Sequence, residues 1–312
     1  MARRSHRTDR RAPASSGAPT LPVGDVAIDT GVAHVDRDPD HPDRVTLHVN
    51  GVPSSSIDLS DPGFLAFEYM QQMAAVISLL PVGPLRVLHL GAAGCALARH
   101  VEHERPDSRQ LGVDVDARLL QLVRGWFGLP RAPRLRLRAD DAGHALESLP
   151  AGSFDVVIRD VFAGDRTPDH LAGTAFAAAA HRALRPGGLL LANCADRPPL
   201  PQTRREVATL AGVFGSDAAA SGRLGAIAEP GVVKGRRYGN VVLAAVRVAG
   251  ERSGSPDDTD TDTDTDQEPL NEEVLDLRDP ALGRALRTLA VPARLLTGSE
   301  LVRFAASAAP LP

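Results

Sequence analysis

Lysine is nearly missing from this chain. Lys234 is the only one among 35 Lys and Arg residues in a sequence of 312. Such an imbalance reads as compositional bias rather than as a functional signal. Aromatic residues are also scarce, at 4%, so Ala, Leu and Val must fill any core that the 43% hydrophobic content builds. Two cysteines, Cys95 and Cys194, are too few for a disulfide framework and suit a reducing compartment. No apolar run approaches the ~18 residues that a membrane span needs. The basic N-terminus has no apolar stretch behind it, which excludes a secretory signal. The expectation is a soluble, cytoplasmic protein without a membrane partner.

Net charge is close to zero through the middle of the chain and is concentrated at two places. Arg3, Arg4, Arg7, Arg10 and Arg11 make the first residues basic, and seven acids lie between Asp257 and Glu268, within a formal net charge of −4. The remainder is close to neutral, with no basic face of the kind that binds nucleic acid. Residues 1–20 and the Thr-Asp segment 251–269 have little to bury, so both are expected to be disordered. Metal chelation by the Thr-Asp segment would rest on Asp spacing alone, and no metal site is expected.

Between these segments the pattern is foldable. Residues 21–81 should form a small β-hairpin module and a helix. Val45-Thr46-Leu47-His48-Val49 alternates and is followed by Asn50-Gly51, a strong hairpin signal. Asp61-Pro62 offers a helix N-cap and first-turn proline ahead of Phe64, Phe67, Met70, Met73 and Ile77 at helical spacing. Residues 82–250 alternate strand and helix, with strands expected at 86–90, 111–115, 135–138, 154–159 and 189–193 and a closing antiparallel pair at 223–228 and 240–246. This alternation predicts an α/β fold with a doubly wound, mostly parallel seven-stranded sheet of the methyltransferase type. Residues 270–312 form an α/β extension, with helices near 280–289 and 299–306 and a strand near 294–296.

Ligands of doubly wound sheets bind outside the carboxyl ends of the strands, and here those ends carry a coherent set. The first strand ends in Gly91-Ala92-Ala93-Gly94, whose small side chains let a ligand approach the backbone. The second ends in Asp114-Val115-Asp116, placed for the hydroxyls of a ribose. The third leads to Asp140-Asp141-Ala142, where an acid can accept from an adenine amino group and Ala142 leaves room for the ring. The fourth ends in Asp160, facing the reacting end of the ligand, and the fifth in Asn193-Cys194-Ala195-Asp196. Gly91-Ala92-Ala93-Gly94 is not the G-x-G-x-x-G of a dinucleotide fold, because Ala93 stands in place of the second glycine. His89, His100, His103, His144, His170 and His181 share no metal-ligand spacing and read as surface or packing residues. The two cysteines read as small buried hydrophobes.

With Phe154-Asp155-Val156-Val157-Ile158-Arg159-Asp160 and Leu184-Arg185-Pro186-Gly187-Gly188, the four strand ends resemble the class I S-adenosylmethionine-dependent methyltransferase superfamily. Val87 through Gly94, Val113 through Asp116 and Asp160 through Leu171 resemble the spermidine synthase family, the polyamine aminopropyltransferases, and especially its divergent bacterial branch. Val49-Asn50-Gly51 is similar to that family's Leu-Asp-Gly hairpin, and Phe64 through Glu68 to its Phe-x-Tyr-x-Glu helix start.

The resemblance implies a transferase that holds no tightly bound cofactor and uses S-adenosylmethionine or its decarboxylated form as co-substrate. Gly91, Ala92, Ala93, Gly94, Asp114, Val115, Asp141 and Ala142 would bind it. Asp160 would be the catalytic aspartate, orienting and deprotonating a small-molecule amine, and a homodimer is allowed. Four departures bear on the acceptor. Gly94 replaces the family's glycine-loop aspartate, Ala163 the second aspartate of its Asp-x-x-Asp motif, Ala66 the tyrosine of its helix start, and Ser54 the glutamine after its hairpin. A dication needs carboxylates in place of its water, so putrescine is expected to be a poor acceptor, unless Asp165 or Asp169 in the same loop compensates. A methyltransferase with another small-molecule acceptor, and a nucleoside-binding protein without catalysis, are the alternatives.

Overall fold

The computed structural model describes residues 21–164, 166–249 and 274–312. The basic N-terminal segment and the Thr-Asp segment lie outside them, as does Asp165.

The N-terminal module is a four-stranded antiparallel sheet, not a lone hairpin: β1 (Val26–Ile28), β2 (Gly31–Arg37), β3 (Arg44–Val49) and β4 (Val52–Asp58), in that order. The β3–β4 turn is made by Asn50 and Gly51 with φ of 51° and 77°. Both central residues are thus left-handed, as the tight hairpin turn requires. The Asn50 side chain reaches back to bond the backbone of Thr30 and Val32, which fixes the β1–β2 turn against it.

Helix α1 (Glu68–Ile77) begins later than the proline signal suggests. Asp61 does accept a backbone N–H, but from Gly63 in an isolated turn, and Phe67 takes the cap position in extended conformation. Residues 64–67 bridge the two without helical hydrogen bonding.

The second part alternates β5 (Arg86–Leu90), α2 (Ala96–Glu104), β6 (Arg109–Asp114), α3 (Ala117–Trp126), β7 (Leu135–Ala139), α4 (Ala142–Glu147), β8 (Phe154–Arg159), α5 (Thr174–Ala183), β9 (Leu184–Asp196), α6 (Pro201–Phe214), β10 (Leu224–Ala228), α7 (Pro230–Val233) and β11 (Gly239–Val246). After the undescribed segment come α8 (Pro280–Thr288), β12 (Arg294–Leu296) and α9 (Gly298–Ala305). The sheet has eight strands rather than seven, in the order β12-β10-β11-β9-β8-β5-β6-β7. The eighth is β12, which pairs antiparallel with β10 and so joins the C-terminal extension to the main sheet. Strands β9, β8, β5, β6 and β7 run parallel, while β11 pairs antiparallel with β9 and β10 antiparallel with β11. Pro186-Gly187-Gly188 lies inside β9, where the register against β8 jumps from Phe154↔Leu184 to Val156↔Leu189.

Strand residues alternate between two cores. Val87, Val156, Ile158, Leu189 and Leu191 pack towards α1, α2, α3, α8 and the N-terminal sheet. Leu88, Leu90, Val157 and Leu190 pack towards α4, α5, α6 and α9. Both faces of the parallel strands are covered, which explains why β8 is buried along its whole length. β5 continues to β6 on one side and pairs with β8 on the other, so the switch in winding direction falls between β5 and β8. No helix among the described residues is long and apolar enough to cross a membrane.

Candidate active site

A cavity of about 630 Å³ opens at this switch point, under the N-terminal sheet. A volume of this order suits a nucleoside-sized ligand with room beside it. Gly91, Ala92, Ala93, Asp114, Val115, Asp141, Ala142 and Asp160 all line it. The strand ends therefore converge as their spacing suggests.

Gly91 shows why the loop needs small residues. Its φ is +85°, and a Cβ there would come 2.1 Å from the Asp160 carbonyl oxygen. The loop thereby lies directly against the end of β8. Gly94, the fourth loop residue, does not line the cavity. It lies beneath, donating its N–H to Ser55 Oγ at 3.0 Å, and a Cβ would come 2.7 Å from the Ser55 Cβ. An acid at residue 94 would have to displace Ser55, so the N-terminal sheet occupies the space of the missing aspartate.

Asp114 accepts the Ala93 N–H on Oδ2 (2.9 Å) and the Asp116 N–H on Oδ1 (3.1 Å). Each oxygen keeps a further lone pair. Burial pushes this carboxyl above its ordinary value, against the pull of those N–H groups. Two residues on, Asp116 caps α3 through Leu119 N–H and holds both the N–H and the hydroxyl of Thr30, at 2.7 and 2.8 Å. That pair of bonds docks the β1–β2 turn over the loop after β6. Asp141 caps α4 with Oδ1, accepting from Gly143 and His144, and meets His170 Nε2 at 3.0 Å with Oδ2. Burial alone would raise it, but these bonds outweigh burial and hold its carboxyl below the usual value. Helix α4 escapes a periodicity search because it has only six residues, and Asp141 is its cap.

Asp160 is bonded on both oxygens. Asn193 Nδ2 donates to Oδ1 at 2.9 Å, and the Tyr69 hydroxyl to Oδ2 at 2.8 Å. Burial pushes the Asp160 carboxyl up, and the two donors oppose this only in part. The Tyr69 hydroxyl is itself pushed well above its ordinary value by burial and by the neighbouring carboxylate. Tyr69 corrects the assignment of Ala66 as the lost tyrosine. Phe67-Glu68-Tyr69 also reads Phe-x-Tyr, and the aromatic side chain at Asp160 comes from that register. Two phenylalanines three residues apart, Phe64 and Phe67, make the alignment ambiguous in sequence. Asn193 is legible in the sequence as a residue near the end of β9, but its bond to Asp160 is not.

Behind Asp160, Arg159 and Glu206 form a buried ion pair at 2.7 Å. The Arg159 guanidinium also donates to the carbonyls of Leu171 and Asn193. It ties β8, β9, α6 and the far end of the loop after Asp160 to one point. Asp169 opens the short turn Asp169–Leu171 and is exposed. Cys95 and Cys194 are buried, and burial pushes the Cys95 thiol up to about 12 and raises Cys194 as well, so neither is a ready thiolate. His89 lines the cavity, bonds Gln110 and is held down to about 4 by burial, so it is neutral.

No protein-family model matches the sequence. A polyamine aminopropyltransferase from Chromobacterium violaceum is 29% identical over 139 residues, covering 45% of this chain and 53% of that protein. One from Neisseria meningitidis is 25% identical over 150 residues and is covered to 57%. The chain thus spans about half the length of these curated relatives. A spermidine synthase solved in complex with the transition-state analogue AdoDATO shares the fold, at 15% identity and a TM-score of 0.52. The crystal structure of a probable spermidine synthase from Corynebacterium glutamicum is 35% identical with a TM-score of 0.77, matching 93% of this chain and 96% of that one. With that identity over nearly the whole length of both chains, this chain is a member of the spermidine synthase family.

Proposed function

We propose that the protein transfers an aminopropyl group from decarboxylated S-adenosylmethionine to a small-molecule amine. The observation that carries this reading is the charge of the cavity wall. Glu68, Asp114, Asp140, Asp141 and Asp160 line it, and among the described residues no Lys or Arg does. A sulfonium bearing a free ammonium arm suits such a wall. The carboxylate of intact S-adenosylmethionine would face acids without a cationic side chain to answer it. This favours aminopropyl over methyl transfer.

In this reading Asp114 receives the two ribose hydroxyls on its remaining lone pairs. Asp141 accepts from the adenine amino group, sharing Oδ2 with His170, and Ala142 leaves space for the ring. Gly91, Ala92 and Ala93 let the sulfonium lie close to the end of β8. Asp160 accepts a proton from the acceptor ammonium, and its raised pKa makes it a better base than an exposed aspartate. The freed nitrogen lone pair then forms a bond to the methylene carbon beside sulfur. The carbon–sulfur bond breaks, its electrons return to sulfur, and methylthioadenosine leaves as a neutral thioether.

Incubation with decarboxylated S-adenosylmethionine and a panel of amines should release methylthioadenosine. Incubation with S-adenosylmethionine should release no S-adenosylhomocysteine. The reverse result would make the protein a methyltransferase. Binding of methylthioadenosine with no turnover in either assay would make it a nucleoside-binding protein without catalysis.

A further inference from the structure

Lys234, the single lysine, falls at a second hollow of about 340 Å³, which shares no lining residue with the switch-point cavity. Strand β10 pairs antiparallel with β11, and β11 antiparallel with β9, so β10 runs in the direction of β9 and ends on the same edge of the sheet. There β12 begins, with Arg294 opposite Ala228. Four elements bring cations to this place: Arg204 from α6, Lys234 from the end of α7, Arg294 from β12 and Arg303 from α9. One acid, Glu300, lines the hollow as well and pairs with Arg294. Arg204 donates to the carbonyls of Pro199 and Phe304 and lies over the Phe304 ring at 4.5 Å; among the described residues no carboxylate pairs with it. Arg303 donates to Ser299 Oγ at 3.3 Å. The Lys234 ammonium is exposed and has no hydrogen bond or ion pair among the described residues. Val233, Leu296 and Phe304 complete the lining.

We propose that this hollow binds a small anion bearing two or more linked phosphate groups, at a site separate from the donor and acceptor cavity. Four cations against one acid stand out in a chain whose formal net charge is −4. A concave surface lined by one sign of charge, with apolar walls of low dielectric, focuses its field on whatever enters. The guanidinium forks of Arg294 and Arg303 match pairs of phosphate oxygens, and the Lys234 ammonium adds a point charge that no protein acid has claimed. Cations that arrive from four elements surround the hollow and call for more than one anionic group. Its concavity suits a small molecule, whereas a nucleic-acid backbone lies along an extended basic face. The sequence hides the site because its cations are scattered between residues 204 and 303, and only the pairing of β12 with β10 gathers them.

The test is calorimetry at low salt with pyrophosphate, tripolyphosphate and sulfate as probes. The wild type should bind pyrophosphate or tripolyphosphate at least about tenfold more tightly than sulfate, the effect of one further charge-assisted hydrogen bond. Lys234→Gln and Arg303→Gln, both at exposed side chains, should each weaken the tighter of the two phosphates by about five- to tenfold and leave the melting temperature unchanged. Arg109→Gln is the control. It removes an exposed charge at the start of β6, on the opposite edge of the sheet, and should leave binding unchanged. Methyl diphosphate separates two sources of the same chemistry: retained binding points to the diphosphate of an organic ester, and lost binding to the inorganic anion. No binding of either phosphate by the wild type, sulfate bound as tightly as both, or a loss with Arg109→Gln equal to that with Lys234→Gln would overturn the proposal.

Discussion

Removing the hydroxyl of Tyr69 is the smallest perturbation that interrogates the proposed base, Asp160. Tyr69→Phe keeps the ring, which stacks on Phe67 with centroids 5.9 Å apart, and removes only the donor to Asp160 Oδ2. A hydrogen bond to a charged acceptor contributes about 1.5–3 kcal/mol. One pKa unit corresponds to about 1.4 kcal/mol, so the Asp160 carboxyl should rise by about 1–2 units. The direction follows from the existing balance. Burial already raises this carboxyl, while Asn193 and Tyr69 pull it down. In the variant only Asn193 remains. The acidic limb of kcat/KM for the amine, followed by methylthioadenosine release, should therefore move to higher pH by about 1–2 units, with little change on the alkaline plateau. Stability should respond with the matching sign. An acid whose folded pKa lies above its unfolded value favours the fold least once pH exceeds both. The variant should accordingly lose more melting temperature near neutral pH than at about pH 4. An acidic limb that stays in place would show that Asp160 is not the titrating base or that Tyr69 does not bond its charged form.

Other outcomes follow from the same geometry. Asp114→Ala should weaken methylthioadenosine binding by about 1–3 kcal/mol in calorimetry, and unchanged affinity would make Asp114 a mere strand-end residue. Gly91→Ala combines a left-handed φ with a clash against the Asp160 carbonyl. It should cost about 2–3 kcal/mol, or roughly 5–10 °C in melting temperature, whereas an unchanged melt would contradict the close approach. Glu206→Gln leaves the buried Arg159 charge unanswered and should cost about 3–5 kcal/mol in urea unfolding; a loss under about 1 kcal/mol would refute the role of the pair. His89, held down to about 4 against an ordinary 6.5, should destabilise the fold as pH falls from about 6.5 towards 4. Its contribution is fully present above that window, and His89→Gln should flatten the melting curve across it.

What could be read in the sequence was set by backbone geometry. Gly91, Asp114, Asp141 and Asp160 each end or follow a parallel strand, and parallel strands bring their carboxyl ends to one edge whatever packs around them. The residues that escaped depend on side chains arriving from elsewhere. Tyr69 reaches Asp160 across 91 positions, and its register was obscured by the repeated phenylalanines. Ser55 fills the place beside Gly94 from another sheet. Asn193 was visible near the end of the fifth parallel strand, but not its bond to Asp160, which the pairing of β9 with β8 brings about. The strand at 294–296 was visible, but not its destination, because only the pairing with β10 adds it to the main sheet.

Arg159 has a further consequence for the segment that follows it. The residue immediately precedes Asp160, and its guanidinium holds the carbonyl of Leu171 at 3.0 Å. The chain from Asp160 to Leu171 is thus a closed ring, cinched at its base by a single buried cation. Closing a loop carries an entropy that grows only as about (3/2)RT ln n. Here that closure is completed during folding, before a ligand arrives. A ligand entering the cavity meets a wall whose perimeter is already drawn, so the fit depends on the few side chains on its inner edge rather than on the reach of the loop.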